Sequence, residues 1–104
     1  MYEQLKQKEP RNPNSSYIRS LIRKDVCRTY KEIPNYETWK LKTENILTTL
    51  ATVYSDMGYC QGMSFIAGAI LNVMESEELS FWVFASLIEK YHLQLLFMNV
   101  PYLS

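Results

Sequence analysis

Apolar residues recur at helical spacing in four stretches of the chain, with polar and charged residues falling between them. The first holds Ile18, Leu21, Ile22 and Val26 on one face, with Arg19, Arg23 and Lys24 elsewhere, and it should stop near residues 27–30. Ser15 or Ser16 can cap its start. The second, residues 37–55, sets Ile46, Leu47, Leu50, Val53 and Tyr54 on one face and Lys40, Lys42, Glu44 and Thr48 mostly away from it, the pattern of an amphipathic outer helix. The third differs in kind. Met63, Ile66, Ala67, Ile70, Leu71 and Met74 have helical spacing, but Ala69 and Val73 between them are apolar too, which predicts a helix buried on most sides at the centre of a domain. The fourth, residues 78–92, brings Phe81, Trp82, Ala85, Ile88 and Tyr91 inward, with Ser76 as its cap and acidic residues in its first turn complementing the helix dipole.

Ahead of these, residues 2–9 are charged and weakly helical, a short lead-in helix or a frayed end, closed by Pro10, Asn12, Pro13 and Asn14. Residues 29–38, with Pro34 and Asn35, read as an irregular connection pinned by Tyr30 and Ile33. Gly58 and Gly62 bracket Tyr59, Cys60 and Gln61 in a turn that feeds the third apolar helix. At the end, Leu95, Leu96, Phe97, Met98, Val100 and Leu103 leave little polar surface, so residues 93–103 should be covered by something further. The organisation expected is a lead-in over residues 1–14 and an all-α unit of five or six helices over residues 15–104.

Composition narrows the function classes. With 47% hydrophobic and 13% aromatic residues in 104, the chain is globular rather than disordered, with a modest core. Eleven Lys and Arg balance eleven Asp and Glu, so nothing electrostatic points to nucleic acid or to an anionic membrane. No apolar run is long enough to cross a bilayer, and the N-terminus lacks a signal peptide's apolar core, which predicts a cytoplasmic protein without direct membrane insertion. Cys27 and Cys60 lack metal-motif spacing and are expected to be small apolar filler; His92 is expected to be structural or solvated.

Two short patterns carry candidate chemistry. Asp25 and Arg28 are three apart, so on a last helical turn the carboxylate can fix the guanidinium's direction, although an ordinary helix-end ion pair reads the same way. Tyr59 and Gln61 equally fit a buried tyrosine and a capping glutamine.

Taken together and in order, Ile22-x-x-Asp25-x-x-Arg28 and Tyr59-x-Gln61-Gly62-Met63 resemble the TBC domain of Rab GTPase-activating proteins. The flanks Arg28-Thr29, residues 58–67 and Phe81-Trp82 resemble it as well, and the likeness runs from Ser15 to the C-terminus. The resemblance implies the N-terminal half of that all-α domain and a GTPase activator in vesicle trafficking, not an enzyme with a substrate pocket of its own. It makes Arg28 the arginine finger and Gln61 the glutamine finger, with Asp25 orienting Arg28 and Ile22 and Tyr59 anchoring the two loops. The implied partners are a Rab-type small GTPase, which would hold the GTP and Mg²⁺ so that this chain needs no cofactor, and a C-terminal half domain absent here. Contact with endomembranes would come through the GTPase. The family's earliest motif, Arg followed four residues later by Trp, is missing: Asn35 precedes Trp39 and Glu78 precedes Trp82 at that offset. The alternative reading is a non-catalytic helical interaction module, or an inactive truncated fragment, that kept the motifs.

Overall fold

A computed structural model describes residues 2–7, 15–29, 35–54, 59 and 62–93. They form five α-helices and, among the described residues, no strand: α1 (Tyr2–Lys6), α2 (Ser15–Cys27), α3 (Tyr36–Val53), α4 (Met63–Met74) and α5 (Glu77–Tyr91). The all-α expectation holds, and each periodic stretch is a helix. α2 already includes Ser15, so its cap position falls at residue 14, outside the described residues.

The layout corrects which helix is central. α3 packs against all four others, whereas the apolar α4 keeps one side in solvent. Ile46, Leu47 and Leu50 of α3 are fully buried, and Trp39, Thr43, Thr49 and Ala51 join them. The two threonines enter the core because their hydroxyls are satisfied within the helix, Thr43 Oγ1 donating to the Trp39 carbonyl at 2.9 Å and Thr49 Oγ1 to that of Asn45 at 2.7 Å. Burying each large aliphatic side chain contributes about 1.5–3 kcal/mol, so α3 is a major source of hydrophobic stabilisation. Val53, expected on the inner face, lies outward.

α4 buries Met63, Ser64, Ala67, Gly68 and Leu71, but Phe65, Ile66 and Val73 are exposed, Val73 to 80%. It is therefore not buried on most sides. In α5 the inward residues are Phe81, Phe84, Ala85 and Ile88; Trp82 and Tyr91, expected inside, are exposed. Trp82 rests edge-on against Phe81, with ring centroids 4.9 Å apart. Ser76 caps α5 as expected, its Oγ accepting the Leu79 N–H at 3.2 Å. Glu75 after α4 and His92 after α5 take left-handed backbone conformations, their N–H groups closing on the Leu71 and Ile88 carbonyls. His92 is solvated.

Residues 2–6 form a helix, not a frayed end. Tyr2 is buried beside Phe81, with centroids 4.8 Å apart, and its hydroxyl donates to Glu77 Oε2 at 2.7 Å. Lys6 Nζ reaches the same oxygen at 3.0 Å, and Asn45 Nδ2 donates to Glu77 Oε1 at 3.4 Å. Cys27 is exposed, which corrects its reading as filler. Cys60, the connection through Tyr30, Ile33 and Pro34, and the apolar stretch beyond Leu93 lie outside the described residues; Leu93 itself packs partly against the core.

Candidate functional site at the junction of α2 and α4

α2 ends in two tight backbone bonds, Arg28 N–H to the Asp25 carbonyl at 3.1 Å and Thr29 N–H to that of Val26 at 3.0 Å. One turn earlier, Ile22 and Val26 are buried and fix this end of the helix on the core. From α3, the Tyr36 hydroxyl donates to the Cys27 carbonyl at 3.1 Å, satisfying one of the last acceptors of α2.

Asp25 is buried at 7% exposure, a costly place for a carboxylate without partners. Its Oδ2 accepts from three groups 34 to 39 residues away: the Tyr59 hydroxyl, the Gly62 N–H at 3.0 Å and the Ser64 hydroxyl at 3.3 Å. Gly62 and Ser64 belong to the start of α4, whose positive dipole end favours the negative charge. Burial, and next the bond to Asp25, push the Tyr59 phenol well above its ordinary pKa. Gly62 has φ +99°, a left-handed conformation that aims its N–H at the carboxylate.

Thr29 Oγ1 donates to the Asp25 carbonyl at 2.8 Å and lies 3.0 Å from Ser64 Oγ, and both side chains are buried. Among the described residues, the end of α2 is thereby joined to the start of α4 by carboxylate, hydroxyls and a backbone N–H, with no cation in the bonding set.

Arg28 stands at the rim of this knot, exposed, with its Nε donating to the Lys24 carbonyl at 3.2 Å. No ion pair joins it to Asp25, which corrects the expected carboxylate–guanidinium contact. The reason is direction: the Asp25 side chain turns inward to three donors on the second motif, while Arg28 faces solvent. Gln61 lies outside the described residues, but its neighbours Tyr59 and Gly62 are both bonded to Asp25. The structure thus brings the two motifs together through Asp25 and Tyr59, with Ile22 in the core beneath. Thr29 and Ser64 were not singled out as site residues, because neither has a local spacing signal and each is the other's partner across 35 residues.

Among the described residues, no group of three His, Cys, Asp or Glu is placed to hold a metal, and no helix is long and apolar enough to cross a membrane.

The profile of the Rab-GTPase-TBC domain matches residues 1–103. The human ecotropic viral integration site 5 protein homolog is 37% identical over 87 residues, covering 80% of this chain and 11% of the relative. Human TBC1 domain family member 25 is 36% identical over 97 residues, 86% of this chain and 14% of the relative. The Rab GTPase-activating protein eat-17 of Caenorhabditis elegans is 36% identical over 87 residues, 80% and 10% respectively. The chain therefore spans only 10–14% of the length of these three relatives. No solved structure matches it. A profile match across nearly the whole chain, with the two motifs joined in space, places this chain in the Rab-GTPase-TBC domain family.

Proposed function

We propose that this chain activates GTP hydrolysis on a Rab-type small GTPase by supplying Arg28 and Gln61 in trans. The observation that carries the reading is the Asp25 carboxylate: it binds Tyr59, two residues before Gln61, and Gly62, the residue after it, and lies on the helical turn that delivers Arg28. It joins the two motifs while leaving the guanidinium exposed and, among the described residues, without a carboxylate partner.

The chemistry suits these residue types. In the hydrolysis of GTP, charge accumulates on the γ-phosphate oxygens and on the bridging leaving oxygen. A planar, permanently charged guanidinium stabilises both. The attacking water needs alignment, and a glutamine amide can accept from it while donating to phosphate. Nucleotide and Mg²⁺ belong to the GTPase. Asp25 serves this reaction by fastening Tyr59 and Gly62 to the end of α2, and Ile22 holds that end to the core. The protein works in the cytoplasm and meets endomembranes through its partner.

Single-turnover GTP hydrolysis by a panel of Rab proteins tests this. The chain should accelerate at least one of them. Arg28→Ala should remove the acceleration by a factor of order 10³ or more, and Gln61→Ala should also lower it. A folded chain that binds a GTPase yet gives the same rate with and without Arg28 is instead a non-catalytic interaction module.

A further inference from the structure

Resting on that functional reading, we infer that the buried hydroxyl pair Thr29–Ser64 sets the direction in which Arg28 leaves α2, which makes both residues positioning residues for the reaction.

Arg28 is the first residue beyond α2, and its side chain has one bond among the described residues, to a carbonyl of its own helix. Its placement therefore depends on the backbone to either side. Upstream, the Asp25 carbonyl accepts both the Arg28 N–H at 3.1 Å and Thr29 Oγ1 at 2.8 Å. Downstream, Thr29 is 1% exposed and meets Ser64 Oγ at 3.0 Å, in the first turn of α4. Ser64, fully buried, returns to Asp25 through its carboxylate. A ring of four oxygens results, the Asp25 carbonyl, Thr29 Oγ1, Ser64 Oγ and the Asp25 carboxylate: the Thr29 hydrogen goes to the carbonyl, and the single Ser64 hydrogen is shared between Thr29 Oγ1 at 3.0 Å and the carboxylate at 3.3 Å. Arg28 sits on the backbone span that this ring clamps at both ends.

The ring is also the narrow part of the support. α2 lies chiefly against α3 and meets α4 more sparingly, so removing the hydroxyl link frees the last turn of α2 to shift while the core under Ile22 and Val26 remains. A displacement of about 1 Å at a group that stabilises a transition state costs of order 10²-fold in rate with little effect on encounter. Valine keeps the shape of Thr29 and loses the hydroxyl's two contacts, to the Asp25 carbonyl and to Ser64, so Thr29→Val isolates them.

The test is stimulated hydrolysis measured over a range of chain concentrations for the wild type, Thr29→Val, Thr29→Ser and Ser64→Ala, each checked for folding by circular dichroism and thermal melting. Thr29→Val should lower the maximal rate roughly 10- to 100-fold while the half-saturating concentration stays within about twofold. Thr29→Ser, which restores the hydroxyl, should recover the rate. In an Arg28→Ala background, Thr29→Val should cost nothing further, because it acts through Arg28. If Thr29→Val does not fold, Ser64→Ala carries the same comparison, since it removes the partner hydroxyl and leaves Tyr59 and Gly62 on Asp25. A folded Thr29→Val or Ser64→Ala with the wild-type maximal rate overturns the inference alone, as does an undiminished loss in the Arg28→Ala background. A wild type without any Arg28-dependent acceleration overturns the functional reading and this inference with it.

Discussion

Asp25 and Glu77 are both carboxylates that gather donors from helices distant in sequence, yet they gather different kinds. Glu77, in the first turn of α5, takes the Tyr2 hydroxyl, the Asn45 amide and the Lys6 ammonium. Asp25, at the end of α2, takes neutral groups among the described residues: a phenol, a backbone N–H and a serine hydroxyl. Both satisfy a charge near a helix N-terminus, but one consumes a cation and the other does not. Neutral donors around Asp25 leave the guanidinium three residues away, among the described residues, without a carboxylate partner, whereas Glu77 pairs with the Lys6 ammonium. The difference teaches that a proposed phosphate-facing site is built here by separating the anion that organises it from the cation that acts.

The sharpest way to break the comparison is Asp25→Ala, which orphans three donors at once. Urea denaturation at pH 7 should show a loss of about 2–4 kcal/mol, and stimulated hydrolysis should fall with it. A smaller effect comes with pH. The Tyr2 and Tyr59 phenols are pushed well above their ordinary value, each by burial and then by its bond to Glu77 or Asp25, and Tyr54 is pushed up to about 12 by burial and Glu89. In the unfolded chain they ionise near the usual value of about 10, so the stability they contribute is complete below that pH. It is lost as pH rises through the folded-state values. Denaturation between about pH 9 and 11 should show this decline, and Tyr59→Phe or Tyr2→Phe should each lessen the slope by up to roughly 1.4 kcal/mol per pH unit. The smallest effect sharpens the contrast: Lys6→Met should cost at most about 1 kcal/mol and should abolish a weak salt sensitivity of the Glu77 cluster. Melting curves at low and high salt check it, and Asp25's neutral bonds should show no matching response.

The helices were legible in the sequence because they rest on short-range signals, apolar spacing and a serine cap, whereas the pairing of the two motifs came only from the resemblance to a family. The ranking of the helices was not. In α4 apolar residues occupy every side, so its pattern has no contrast with which to say which side faces inward, and Phe65, Ile66 and Val73 proved to be outside. In α3 the pattern understates burial, because Thr43 and Thr49 carry hydroxyls whose return to their own helix no spacing reveals. Phe84 was passed over and Trp82 taken as buried, although a rotation of the inward face by a fraction of a turn reverses them. At the site, Asp25 was assigned to Arg28 because proximity in sequence was the only proximity available. Its actual partners lie 34 to 39 residues on and appear only once α4 is folded against α2.

Gly62 bears on the chirality of the site. Its φ of +99° is disfavoured for an L-residue, yet among the described residues a Cβ built there meets nothing within 4 Å. What the position requires is handedness, not room. A methyl group of mirror configuration would sit there without strain, so the N–H that meets Asp25 is aimed by a rule of stereochemistry and not by crowding. Within an all-L alphabet, glycine is the residue that meets that rule most cheaply, even with open space beside it.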